Sequence, residues 1–218
     1  MDPTGERGIL AVWNDCAPGA EAEYEAWYRH EHLPERVGIP GFRAGWRYRA
    51  IDAEPEYFTF YETDNPAVLR SEPYLARLND PTPLTRHIMS GAFRHATRAL
   101  CACVARRGTL RGALAVSVRC EAPPGGELEA RLDELAGRAE VLRAELWVAV
   151  DAGGPAPLSA EQQLRGPDRT IAAAALVETA TEPEAAAVAA MLGTALGSRA
   201  RIGTYRLFCA LHRADLDR

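Results

Sequence analysis

The chain has no lysine: all 25 basic side chains among its 218 residues are arginine. That skew fits GC-rich coding better than it fits any function. Long blocks of one charge sign are also missing, and the net charge is −5. A nucleic-acid binder usually shows a basic face, so no nucleic-acid partner is expected. No run approaches the ~20 apolar residues of a spanning helix, because glutamates interrupt the longest alanine-rich stretch, and no membrane partner is expected either. The opening "MDPTGERG" is polar and reads as no signal peptide. Cysteine is scarce and unpatterned. Cys16, Cys101, Cys103, Cys120 and Cys209 make an odd set without a C-x-x-C pair. Cys101 and Cys103 share one face of one strand, where adjacent positions bridge poorly. Reduced, mostly buried thiols and a cytoplasmic protein follow. No ligand cluster has zinc spacing, so no metal is expected.

Several chemistries lack their motifs. There is no G-x-S-x-G elbow, no G-x-x-x-x-G-K-[ST] loop and no G-x-G-x-x-G after a strand. "DAGGP" at 151–155 is glycine-rich but leads to proline, not to a helix start. No cysteine has an evident neighbouring base, so a thiol nucleophile is not expected.

What is present is globular: 47% hydrophobic and 25% charged residues, enough for one large domain or two small ones. "GILAVWND" (8–15) reads as a strand. "PGAEAEYEAWYRHEH" (18–32) follows as a helix, with Tyr24, Trp27 and Tyr28 on one stripe. Leu33-Pro34 is expected to end it, since the residue before proline is pushed out of the helical region. "GFRAGWRYRAI" (41–51) and "EYFTFYETD" (56–64) alternate as a hairpin. Asp64 or Asn65 caps a further helical region, with Pro66 in its first turn, and "AFRHATRALCACVA" (92–105) is a last strand. The order β-α-β-β-α-β is ferredoxin-like. It then recurs as strands at 110–120, 142–150, 169–179 and 199–213, with helices at 125–140 and 182–197. Two echoes accompany the repeat: "LAV" at 10–12 and 114–116, and Arg98-x-x-Cys101-Ala102 against Arg206-x-x-Cys209-Ala210.

The fold class is therefore α+β, with two tandem ferredoxin-like units, residues 1–107 and 108–218. Helices cover one face of each sheet, and the other face needs a partner. Packing the two open faces together gives an internal pseudo-dimer around a central volume. On the third strand Phe58 and Phe60 are expected to meet the helices. Tyr57 and Tyr61 would then face the centre, where a hydroxyl is useful. Exposed edge strands would leave a homodimer open.

Candidate site residues gather in the first half. The second half has one Trp and one Tyr, so a cavity built by the first would be aromatic-lined and suit a planar apolar ligand. His32 has two readings: an acid/base titrating near neutrality, or a cap at a helix C-terminus. His30 reads as solvated, and Glu31 as an ion-pair partner of Arg36, Arg43 or Arg47. His87 and His95 read singly as structural, with either able to join His32 in space. Asn14-Asp15 reads as a turn, or as an amide that orients a ligand carbonyl.

"W-N-D", "WYRHEHLPERVGIPGF", "Y-F-T-F-Y-E" and "YLARLNDPTPLTR" together resemble the EthD-like branch of the dimeric α+β barrel superfamily, over roughly residues 7–105. The resemblance implies two ferredoxin-like units sharing a barrel. The superfamily holds cofactor-independent monooxygenases, polyketide cyclases, lactone isomerases and heme enzymes. His32 matches a histidine that handles protons at the barrel mouth. Trp13 and Tyr61 match aromatic positions lining the cavity. The expected function is a cofactor-independent enzyme acting on a small aromatic, polyketide-like or lactone substrate by proton transfer: a cyclisation, isomerisation or elimination. His32 and Tyr61 would be catalytic. Trp13, Asn14, Trp27, Tyr28, Tyr57 and His87 would bind substrate. Two alternatives stand beside it: a cofactorless monooxygenase on a phenol, and a non-catalytic binder of a small hydrophobe or heme. The second half lacks these motifs, so one active unit and one structural partner are expected.

Overall fold

The computed structural model describes residues 6–150 and 158–216, and the glycine-rich 151–155 stretch lies outside them. The first unit runs β1 (Arg7–Cys16), α1 (Glu21–Trp27), a π-helical turn (Tyr28–His32), α2 (Leu33–Val37), β2 (Phe42–Asp52), β3 (Tyr57–Thr63), α3 (Glu72–Asn79), α4 (Pro83–Gly91) and β4 (Phe93–Arg107). The second runs β5 (Leu114–Cys120), α5 (Gly126–Ala136), β6 (Val141–Ala149), α6 (Ala160–Arg165), β7 (Ala173–Thr179), α7 (Glu182–Leu196), β8 (Arg201–His212) and α8 (Arg213–Leu216). Among the described residues no helix is long and apolar enough to cross a membrane.

All eight strands close into one antiparallel barrel in the order β1-β3-β2-β8-β5-β7-β6-β4. Each unit contributes a ferredoxin-like sheet, β4-β1-β3-β2 or β6-β7-β5-β8. The seams are β2 with β8, from Ala44↔His212 to Asp52↔Thr204, and β4 with β6, from Cys101↔Ala149 to Arg107↔Ala144. Closure pairs both edges of both sheets. The expected exposed edge strands are absent among the described residues, because each unit's edges are taken by the other.

The barrel interior is a packed core, not the central cavity expected from sequence. Trp13, Trp46, Tyr48, Phe58, Phe60, Trp147 and Tyr205 fill it. Trp13 stacks on Phe58 at 5.0 Å, Trp46 on Phe60 at 4.8 Å, and Phe60 meets Trp147 at 5.0 Å. The Trp13 indole N–H donates to Ser117 Oγ at 2.9 Å. Side chains of this size bring large apolar area to the core, and the polar edge finds a partner.

The faces of β3 are therefore the reverse of those expected. Phe58 and Phe60 point into the barrel, while Tyr57 and Tyr61 meet the helices. Both faces of a barrel strand are covered, so alternation alone could not rank them. The tyrosine hydroxyls belong on the helix side because the polar side chains described below lie there. The Arg-x-x-Cys echo also breaks: Cys101 joins the barrel core, whereas Cys209 lies against the first unit's helix layer. A register shift in the β2–β8 pairing between Arg47 and Tyr48 moves it there.

Two helix layers flank the barrel. Over the second unit, α5 and α7 bury Leu128, Leu132, Leu135, Val188, Leu192 and Leu196 against the sheet, a wholly non-aromatic interface. Over the first, Tyr24, Trp27, Tyr28, Tyr57, Tyr61, Tyr74 and Phe93 make an aromatic one. The short α6, closed by a Ser159–Gln162 capping box, leaves its own unit and sits on α3 and α4.

Candidate active site in the first helix layer

Leu33-Pro34 does not end the helix, contrary to the sequence expectation. The chain passes from α1 through the π turn into α2, with the Leu33 N–H donating to the Tyr28 carbonyl. Proline lacks an N–H and clashes with the carbonyl one turn back. The i→i+5 spacing of a π turn accommodates it and adds one residue to the turn. Such single π turns recur at functional sites. Here the insertion carries the His32 side chain into the interior while His30 stays exposed. His32 therefore does not cap a helix end.

The His32 imidazole lies 4.3 Å from the Trp27 ring and 5.0 Å from the Tyr28 ring, centroid to centroid. It is 6% exposed, and its Nδ1 has no hydrogen-bond partner among the described residues. Burial pushes its pKa well below the usual histidine value, and Arg36, Arg165 and Arg47 push the same way. Burial thus favours the neutral imidazole. Tyr28 and Tyr61 hydroxyls are 3.3 Å apart beside it. Burial, reinforced by Tyr28, holds the Tyr61 phenol well above its ordinary pKa, so it remains a donor.

On the far side of Tyr28 lies Arg47, which is fully buried. Its guanidinium carbon is 3.6 Å from the Tyr28 ring centre, 4.4 Å from Tyr57 and 5.0 Å from Tyr24. It donates to Glu25 Oε1 at 3.2 Å and Thr59 Oγ1 at 3.3 Å. Burial alone would lower its pKa, but Tyr24, Tyr28 and Glu25 outweigh that and raise it. The Asn14 amide donates to the Tyr24 hydroxyl at 2.7 Å. Asn14 Oδ1, Glu25 Oε2 and the Tyr57 hydroxyl, all buried, have no partner among the described residues. Each such atom costs about 1–3 kcal/mol, a cost that clusters here around one cation and its aromatic walls.

The structure therefore brings together His32, Trp27, Tyr28 and Tyr61, and sets Asn14 and Tyr57 beside them through Tyr24 and Arg47. It separates the other two candidates. Trp13 points into the barrel core. His87 is on the outer surface of α4, its side chain 65% exposed and 3.4 Å from Glu23. Glu31 has another partner than the arginines expected: it accepts from the Thr82 and Thr85 hydroxyls. Thr85 Oγ1 in turn accepts the Trp27 indole N–H at 3.0 Å. The Asn14-Asp15 pair is not a free turn but part of β1, at a register shift in its pairing with β4.

Two features of this layer escaped the sequence reading. Arg47 shares a strand face with Gly45 and Arg49, opposite Trp46 and Tyr48, and that alternation was its one local signal. The buried Arg36–Glu161 ion pair joins α2 to α6 across 125 positions, with no local signal at all.

One mouth of the barrel opens to about 830 Å³, lined by Trp46, Arg106, Arg111, Arg143 and His212. Behind these arginines Glu145 and Glu178 are fully buried. Burial would raise both carboxyls. Arg111 and Arg106 overcome it at Glu145, whose pKa falls, whereas at Glu178 burial prevails and the pKa rises. Arg111 reaches Glu178 at 3.0 Å, Arg143 reaches Glu145 at 3.0 Å, and the Tyr48 hydroxyl donates to Glu178 at 2.9 Å. The charges engage one another and plug this end of the core.

No family model and no curated protein matches the chain. Solved structures do. A candidate monooxygenase from Fusobacterium nucleatum superposes with a TM-score of 0.59 at 7% identity, over 95% of each chain. An anthrone oxidase-like protein gives 0.57 at 8% identity, over 96% of this chain and 94% of that one. A candidate monooxygenase from Lactobacillus acidophilus gives 0.52 at 7% identity, over 95% and 97%. At such identities the likeness is one of fold, the dimeric α+β barrel, and it spans both units.

Proposed function

We propose that the chain is an enzyme that takes a proton from a small aromatic, polyketide-like or lactone substrate in the first unit's helix layer, using its own side chains and no bound cofactor. The observation that carries this reading is the His32 imidazole, held neutral by burial with its Nδ1 unpartnered among the described residues, set in an aromatic layer with Arg47 and Tyr61. His32 accepts the proton of a phenol O–H, or of an acidic C–H beside a carbonyl. The bonding pair stays on the substrate as a phenolate or enolate. Tyr61 donates to that oxygen, and Arg47 offsets its charge in a low-dielectric layer. Imidazolium formation, disfavoured by burial, is compensated by the anion formed at the same moment. Return of the proton to another atom of the anion completes an isomerisation; attack of the enolate carbon on a carbonyl within the substrate, with the proton passed to the alkoxide formed, completes a cyclisation; departure of a leaving group that takes up the proton completes an elimination. Asn14 and Tyr57 bind the substrate's second oxygen, and Trp27 and Tyr28 hold its ring.

The same anion can instead be oxidised by molecular oxygen. The three structural neighbours favour this second reading, since two are candidate monooxygenases and one is anthrone oxidase-like. The segment 27–42 supports placing residues 1–107 in the EthD-like branch, with 108–218 as a divergent structural unit whose helix layer is aliphatic.

Phenols and lactones would be screened by thermal shift against the native chain and His32→Ala. A ligand that stabilises only the native chain, and is then converted by it, supports the proposal. Oxygen uptake during that conversion selects the second reading. Ligands that stabilise both proteins equally would remove His32 from the site.

A further inference from the structure

The barrel mouth remote from the Glu145–Glu178 plug has a different character. A cleft of about 240 Å³ opens there between the C-terminal ends of β1 and β5 and the start of β8. Arg119 on β5 is only 8% exposed. Its guanidinium lies 5.6 Å from the Trp13 ring centre and donates to the Glu54 carbonyl. No carboxylate among the described residues pairs with it, and burial, aided by Arg201, lowers its pKa. A nearly buried charge without a direct ion pair is costly, and the Arg119 side chain lines the cleft.

Two further groups are fixed around the same cleft. Arg169 is pinned by its backbone, donating to the Ala96 carbonyl at 2.8 Å and accepting from the Arg98 N–H at 2.9 Å. Its side chain has no carboxylate partner among the described residues. His95 holds a positive φ of 51°, a conformation that costs energy in a non-glycine residue and clusters at functional sites. Its Nδ1 lies 2.9 Å from Asp15 Oδ2, and Asp15 Oδ1 accepts the Glu56 N–H at 2.8 Å.

We propose that this mouth binds a small organic carboxylate, its two oxygens on the Arg119 guanidinium, with Arg169 and His95 at the rim. The planar fork of arginine matches a carboxylate. Asp15, Glu54 and Glu121 also line the cleft and balance Arg119, Arg169 and Arg201, so the site suits a single negative charge better than a dianion. Ile171 and Pro55 line the cleft and offer apolar contact to the ligand's carbon frame. The site is separate from the His32 layer: Trp13 faces the barrel, whereas its neighbour Asn14 faces the helices.

The probe is 4-fluorobenzoate, followed by ¹⁹F NMR on the full chain. Saturable binding is expected, weakened about tenfold or more by Arg119→Met, as for loss of a charged hydrogen-bond partner. Arg169→Gln alters an exposed side chain and keeps the backbone pins, so it tests the site even if Arg119→Met fails to fold; it should weaken binding by roughly threefold. His32→Ala should leave binding unchanged. The proposal is overturned by absence of binding, by equal affinity for neutral 4-fluorobenzamide, by displacement with equimolar inorganic phosphate, by Arg169→Gln binding as tightly as the native chain, or by loss in His32→Ala.

Discussion

The imidazole of His32 lies against the indole of Trp27, their centroids 4.3 Å apart and their planes tilted by 35°. That contact ties a titratable group to an aromatic wall, and burial keeps the group neutral. His32→Ala is expected to lower turnover by about 10²–10⁴-fold, the usual contribution of a positioned acid or base, while the far-ultraviolet circular dichroism stays native. Unchanged turnover would exclude His32 from the chemistry.

The depressed His32 pKa also makes a statement about stability. In the unfolded chain the imidazole titrates near 6.5, the ordinary value for histidine, so on acidification the unfolded state gains a proton before the folded state does. The neutral histidine's contribution is full above about pH 6.5 and declines as the pH falls toward the lower folded pKa, at most about 1.4 kcal/mol per pH unit. Urea denaturation at pH 7.5 and pH 5.5 should show the native chain losing more stability than His32→Gln over that interval. Parallel losses would show that the group is not held neutral.

Arg47 and Glu25 form a buried ion pair in the layer, 3.2 Å apart. Arg47→Met should destabilise the protein by about 3–5 kcal/mol because it leaves Glu25 without its cation. Adding Glu25→Gln should restore a substantial part of that loss. A double mutant no more stable than the single would show that the two side chains are not coupled.

The two faces of β3 separate packing from binding. Phe58→Ala removes a ring from the barrel core and should cost about 3–5 kcal/mol. Tyr57→Phe removes a hydroxyl that has no partner among the described residues, and should leave stability within about 0.5 kcal/mol or raise it. The same Tyr57→Phe chain should bind the screened ligand more weakly. A large stability loss in Tyr57→Phe would show that the hydroxyl is satisfied within the fold.

Much of this architecture was readable in the sequence because element type follows from periodicity. The strand at 8–15 is β1 at Arg7–Cys16, and the helix at 182–197 is α7 at Glu182–Leu196. What sequence could not convey was which way the elements face. In "YFTFY" both faces carry rings, since a barrel strand is buried by its own interior on one side and by helices on the other. The polar–apolar contrast that ranks the faces of an open sheet disappears. His32, Tyr61, Trp27, Tyr28, Asn14 and Tyr57 lie in or beside the first helix layer, whereas Trp13 lies in the barrel core and His87 on the outer surface. The π turn at Tyr28–His32 was hidden because a one-residue insertion leaves no compositional trace. Arg36–Glu161 was hidden because α6 crosses to the other unit.

The β2–β8 and β4–β6 seams put a two-unit assembly on a single polypeptide. Its formation is then an intramolecular event, governed by effective concentration and not by how much protein is present. A barrel made from two separate copies would come apart on dilution, and its melting would depend on concentration; here neither should hold for closure of the barrel. The covalent link also frees the halves from symmetry. A substitution in such a two-copy barrel appears twice, whereas here it appears once. One helix layer can therefore accumulate costly buried polar groups while the other stays aliphatic, and the fold as a whole carries the burden of a single demanding layer.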